Sequence, residues 1–215
     1  MKKIFTNSFS ILGMTVCLFF FPNCRGDILP TEEDLANYGW DMYEAGNFLD
    51  AREWFGDALK KDSSYYDSYN GMGWTMGHLR QADSSVHYFS MYLSNDTNFV
   101  DKLDFYAGLS FGYNALGDDV NARKYCNIFF GNQNPILDPD WVFSHNKKIN
   151  HLDVRLVLAV SEFHLALFDN CQSSINKIYK DAGSSIVVDV DVTSVQGRAV
   201  LASHIASLQT TLKNS

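Results

Sequence analysis

The chain has 215 residues, of which 46% are hydrophobic and 20% charged, and its formal charge is -8. That length and composition suit one globular domain with a substantial core. A groove for nucleic-acid backbone needs clustered Lys and Arg, and the acidic chain has no such cluster, so nucleic acid is not expected as a partner.

Met1-Lys2-Lys3 forms a short cationic start, and an apolar run follows from about Phe9 to Phe21. The run has the size of a signal-peptide core and falls short of the roughly 20 residues that a bilayer-spanning helix needs. Cys24 stands directly after Phe21-Pro22-Asn23. This segment resembles a bacterial lipoprotein signal, whose final Cys becomes the acylated first residue of the mature chain. It departs from that pattern in carrying Phe21 where Leu is usual and Asn23 where Gly, Ala or Ser is usual. The resulting expectation is a signal peptide over 1–23 and a linker over 24–30. Either a lipid on Cys24 anchors the protein to a membrane of the cell envelope, or the chain is secreted as a soluble protein.

From Asn37 to Lys60 apolar residues recur at three and four positions, with a break at Ala45-Gly46-Asn47. The spacing predicts two helices joined at a Gly that takes the left-handed conformation. Ala51, Phe55 and Ala58 share one face of the second helix, where small residues let helices approach and the aromatic fills the gap. A second unit begins near Tyr66, with Tyr69, Gly73 and Phe89 in phase. It carries Arg80, Ser85 and Tyr92 in place of the Gly and the two Ala. A third runs from about Leu103, where Gly117 and Ala122 repeat the spacing of Gly46 and Ala51, and Pro135 follows as a helix stop. Gly39 and Gly73 lie 34 residues apart. These units resemble the tetratricopeptide repeat, which has that period. The resemblance implies repeats over about 32–65, 66–99 and 103–135.

Beyond Pro135 the pattern lapses. Residues 136–151 read as a loop, and 152–182 as a degenerate fourth hairpin built on an apolar helix from Leu152 to Phe168. The stretch 183–192, containing Ile186-Val187-Val188, reads as an extended loop laid along the surface, and 193–215 as a terminal helix that shields the last apolar face. The expected fold is therefore all-α: an α-α superhelix of three clear hairpins, a degenerate fourth and a C-terminal capping helix. Cys126 and Cys171 both fall in helical patterns and suit buried thiols, although an oxidising envelope would permit a disulfide. No second Cys or His stands at ligand spacing from either, so no metal site is expected.

In an array of this kind the first helices line a concave surface. Projection of the repeat puts Trp40, Trp74 and Phe111 at one position in successive first helices, with Tyr43, Asn70, His78 and Asn114 beside them. These seven residues form the candidate partner-binding groove, an aromatic ladder with amides suited to a peptide backbone. The same aromatics also suit two other roles, packing between repeats or packing beneath the loop after Pro135 or the C-terminal segment. The groove positions carry no Lys or Arg, so a carboxylate clamp is not expected. No catalytic motif is present, and Glu162 and His164, two residues apart, point to different sides of a helix. No cofactor and no enzymatic activity are expected. The resemblance implies a protein-binding scaffold whose partner is a protein or peptide. The alternatives are a structural component that self-associates as a homo-oligomer, and a small carbohydrate-binding or hydrolytic protein using the acids near Trp40 and Trp74.

Overall fold

The computed structural model describes residues 29–95, 102–131 and 140–213. The predicted leader, Cys24 and Pro135 lie outside the described residues. Among those described, nine helices and no strand are present. They are α1 (Glu32–Glu44), α2 (Phe48–Lys61), α3 (Tyr66–His78), α4 (Ala82–Asn95), α5 (Lys102–Ala115), α6 (Asp119–Phe129), α7 (His151–His164), α8 (Phe168–Asp181) and α9 (Val195–Lys213).

Consecutive helices pair as α1/α2, α3/α4, α5/α6 and α7/α8, and each pair stacks on the next. Along the array α1 touches α3, α3 touches α5 and α5 touches α7, whereas among the described residues no second helix touches another second helix. The first helices therefore form the inner layer. The chain enters the array at Thr31, whose hydroxyl accepts the Asp34 N–H while the Asp34 carboxylate accepts the Thr31 N–H, a reciprocal cap. Asn150 and Asp153 repeat the device at the start of α7.

Every hairpin turns through one residue in the left-handed region: Gly46, Arg80, Gly117 and Ala166. Arg80 and Ala166 take this conformation without being Gly, so the turn survives where its residue signature is lost. Ala166 also fixes the phase of the fourth hairpin. Counted from it, Ala159, Cys171, Ile175 and Ile178 occupy the places of Gly39, Ala51, Phe55 and Ala58, and all four are fully buried. The degenerate hairpin thus keeps full repeat geometry with changed residues.

Small residues and aromatics interlock between the first three hairpins. The Phe55 ring fills the space left by Gly39 and Gly71, and the Phe89 ring fills the space left by Gly73 and Gly108. A Cβ at Gly39 would stand 2.7 Å from the Phe55 ring. At the C-terminal end, α9 packs on α7 and α8, shielding Ile175 and Ile178 with Leu201, Ile205 and Leu208. The extended segment before it is fastened along α8. Asn176 exchanges two hydrogen bonds with the Val188 backbone (2.8 and 2.7 Å), and the Gln172 carbonyl accepts from Val190 N–H at 3.0 Å. Cys126 and Cys171 are free and buried, and burial pushes each thiol up to about 12.

Candidate functional site

The inner layer is partly filled by the chain itself. Gly117 and Ala166 are 49 residues apart, against 34 between Gly46 and Arg80, and the excess lies between α6 and α7. Its described part, residues 140–150, doubles back on itself. Val142 bridges Asn150 in antiparallel fashion, Phe143 N–H donates to Ile149 C=O (2.9 Å), and His151 N–H donates to Trp141 C=O (3.0 Å). The chain turns at Ser144 and His145, where Asn146 N–H donates to Phe143 C=O at 3.2 Å, and Val142 and Ser144 face out while Trp141, Phe143 and His145 face the array.

Those three rings run backwards along the groove. Trp141 is buried and its indole N–H donates to Asp104 of α5 at 2.8 Å. Phe143 is fully buried, stacked on Trp74 of α3 at 4.2 Å and set edge-on to Trp40 and Tyr43. His145 stacks on Trp40 of α1 at 3.6 Å, nearly parallel, and its Nδ1 lies 2.8 Å from the Glu44 carboxylate. A comb of three rings from one insertion thus spans three hairpins.

The seven candidate groove residues divide accordingly. Trp40, Tyr43, Asn70 and Trp74 are buried rather than open to solvent, and Trp40, Tyr43 and Trp74 are covered by the comb. The Trp40 indole donates to Asp67 at 2.7 Å. The Trp74 indole nitrogen and the Asn70 amide oxygen, one turn apart on α3, are buried without a hydrogen-bond partner. His78 lies at the exposed edge, stacked on Phe48 at 4.2 Å, with its Nε2 2.9 Å from the Tyr43 hydroxyl. Burial raises the Tyr43 phenol, with a contribution from the Asp104 charge, which keeps its proton available to donate. Burial lowers the His78 imidazole, which favours the neutral ring. Phe111 and Asn114 are half-buried on α5.

Three of the seven, Trp74, His78 and Phe111, line a cavity of about 430 Å³ next to the comb. Its walls are the glycine faces of α3 (Gly73, Gly77) and α5 (Gly108, Gly112), and Ser85 and Phe89 of α4 form the floor. Arg80, held by its left-handed turn, stands at the rim, where sequence projection places no cation. Gly77 accounts for part of the empty space. A Cβ there would meet nothing closer than the Ser85 hydroxyl at 3.7 Å, whereas one at Gly73, Gly108 or Gly112 would strike Phe89 or Val86. Packing thus explains three of the four glycines and leaves Gly77 to the cavity. The comb escapes the repeat projection because it sits at no repeat position, and Arg80 escapes it because it holds the turn position of Gly46 and Gly117 rather than a groove position. The Trp-x-Phe-x-His alternation over 141–145 is the signal that marks the comb.

Elsewhere, Glu162 and His164 point apart, as their spacing predicts. Glu162 is buried and accepts from the Ser174 hydroxyl at 2.7 Å, while His164 lies outside, 3.1 Å from Asp119. Among the described residues no group of three or more His, Cys, Asp or Glu side chains could hold a metal ion. Also among them, no helix is long and apolar enough to cross a membrane.

Solved structures with a similar fold include two repeat proteins. A tetratricopeptide repeat protein from Parabacteroides merdae superposes with a TM-score of 0.56 at 13% identity, covering 84% of this chain. The chain spans 60% of that protein's length. A thermophilic TPR protein from Thermus thermophilus gives a TM-score of 0.50 at 13% identity, over 86% of this chain and 98% of that one. The fold is that of tetratricopeptide repeat proteins. No protein-family model matches the chain, and no curated protein matches it. At this level of identity the likeness extends to the fold alone.

Proposed function

We propose that the protein is an interaction scaffold of the bacterial cell envelope, held at a membrane by a lipid on Cys24, that binds a protein partner through the inner face of its array. The observation that carries the reading is the cavity between α3 and α5. It is lined by Trp74, Phe111 and the edge of His78, and Gly77 keeps it open where packing does not require a glycine. A glycine inside a helix costs about 0.5–1 kcal/mol relative to Ala. Retaining that cost at a site with room for a side chain fits a cavity that receives an apolar group from a partner.

Two variants test the parts separately. Gly77→Leu fills the cavity from a position free of backbone strain, so the protein keeps its helix content and its melting temperature. In a pull-down from native envelope extract it loses a protein that the wild type retains. Equal recovery by both sinks the cavity as the contact surface. Cys24→Ser moves the protein from the membrane fraction to the soluble fraction, and continued membrane fractionation sinks the lipid anchor.

A further inference from the structure

We infer that residues 141–145 are a built-in occupant of the partner's site, and that the partner presents a segment with aromatic side chains at alternate positions. This deepens the scaffold reading and rests on it. The first ground is that the array does not need the insertion. Hairpins three and four stack directly on either side of it: Cys126 Sγ reaches the Val154 carbonyl at 3.4 Å, and the Arg155 guanidinium lies 3.8 Å over the Phe130 ring. The phase marked by Gly117 resumes at Ala166. A connection that merely joined α6 to α7 would have no reason to carry three rings across α5, α3 and α1.

The second ground is the form of the fit. The segment carries its rings on one side only (Trp141, Phe143, His145) while its backbone bridges at Val142 and turns at Ser144 and His145, and the groove answers each ring with a partner of its own: Asp104, Trp74 and Trp40. The chain thus displays the chemistry that its groove recognises. A partner segment of the same pattern competes for the same three places.

The third ground is what the insertion leaves undone. The Trp74 indole N–H and the Asn70 amide oxygen stay buried and unpaired on the face of α3 where the comb lies. The adjoining 430 Å³ cavity, which Trp74 also lines, is not among the places the comb fills. A ligand shifts an equilibrium only by interactions that the displaced group lacks. A partner segment with polar backbone groups near Asn70 and one more apolar side chain for the cavity gains both, and so has the means to displace a tethered competitor.

The experiment supplies the comb in trans. An acetylated, amidated peptide of the sequence of residues 140–150 is titrated, by calorimetry, into the wild type and into a Phe143→Ala/His145→Ala variant. The variant binds at least ten-fold more tightly than the wild type, and saturating peptide raises its melting temperature. A peptide with Ala at the position of Phe143 does neither. If the double variant loses its helical circular dichroism, the single His145→Ala variant, which removes only the outermost stack, takes its place with the same expectation at smaller amplitude. A folded variant that ignores the peptide, or binds it no better than the wild type does, overturns the inference. So does capture of the same envelope protein in equal amount by wild type and variant, but that result leaves the scaffold reading standing and moves the contact elsewhere.

Discussion

The first three hairpins and the fourth meet the same geometric demand with opposite means. In the first, one large ring fills the space of two absent side chains: Phe55 against Gly39 and Gly71, Phe89 against Gly73 and Gly108. In the fourth, the corresponding places hold Ala159, Cys171, Ile175 and Ile178, a core of medium side chains closed by Leu201 and Ile205 of α9. Only the aromatic solution leaves bare glycine walls between first helices, and the cavity lies between those walls. The joint between the two regions is more polar, with Arg123 3.8 Å from the buried Glu162 and Arg155 over Phe130.

The sharpest way to break this comparison is to remove one ring. Phe89→Ala empties a fully buried site whose neighbours are glycines and cannot fill it, at a cost of about 3–5 kcal/mol. Ile175→Val removes one methyl group in the fourth hairpin, with an expected cost of about 0.5–1.5 kcal/mol. Urea denaturation of the two variants reads both values. Similar losses would show that the two cores do not differ in the way their residues suggest.

Next in size is the reverse substitution. Gly108→Ala drives a methyl into the Phe89 ring and costs about 1–3 kcal/mol by overpacking. Made together with Phe89→Leu, the same Ala costs less than it does alone, because the ring it strikes is gone. Strict additivity in that double-mutant cycle would mean that the glycine and the ring do not form one unit.

How far the sequence reveals this molecule follows from the same contrast. Gly39, Ala51, Phe55, Gly73 and Phe89 stand out because an aromatic set among small residues is a rare pattern, and the first hairpins are legible from it. The fourth hairpin keeps the geometry with Ile175 and Ile178, which any buried helix might carry, so it reads as degenerate although Ala166 holds it in phase. The groove was legible as a place and not as a state. Projection put Trp40, Trp74 and Phe111 on the inner face, but repeat spacing carries no information about an insertion that leaves the repeat. Phe143 and His145 cover Trp74 and Trp40 through a contact that only the folded chain displays.

A smaller effect of opposite sign separates glycines that packing needs from the one it does not. Gly77→Ala adds a methyl in ordinary contact with the Ser85 hydroxyl and removes the helix penalty of Gly, so stability rises by up to about 1 kcal/mol. Gly73→Ala, four residues earlier on the same helix, would place its Cβ 2.5 Å from the Phe89 ring and is destabilising. A thermal melt of the pair that showed both losing stability would mean that Gly77 also serves the seam.

The smallest expected effect concerns the rim, where His78 joins the first two hairpins through the Tyr43 hydroxyl and the Phe48 ring. Burial holds its imidazole below the ordinary value of 6.5, so the unfolded chain takes up the proton first. The stability that neutral His78 contributes is therefore fully present above about pH 6.5 and is lost as pH falls through the folded-state value. A protonated ring could meet the Tyr43 hydroxyl only as a donor, at the desolvation cost of a charge beside a phenol that keeps its proton throughout this range. His78→Gln keeps an acceptor without a titrating group, so its melting temperature falls less than that of the wild type between pH 7 and pH 5. The lost increment stays below the Gly77 effect because the ring sits at an exposed edge, where solvent weakens electrostatic contributions. Parallel pH profiles for the two proteins would show that the Tyr43 contact tolerates the charged ring and that the rim carries no acid sensitivity of its own.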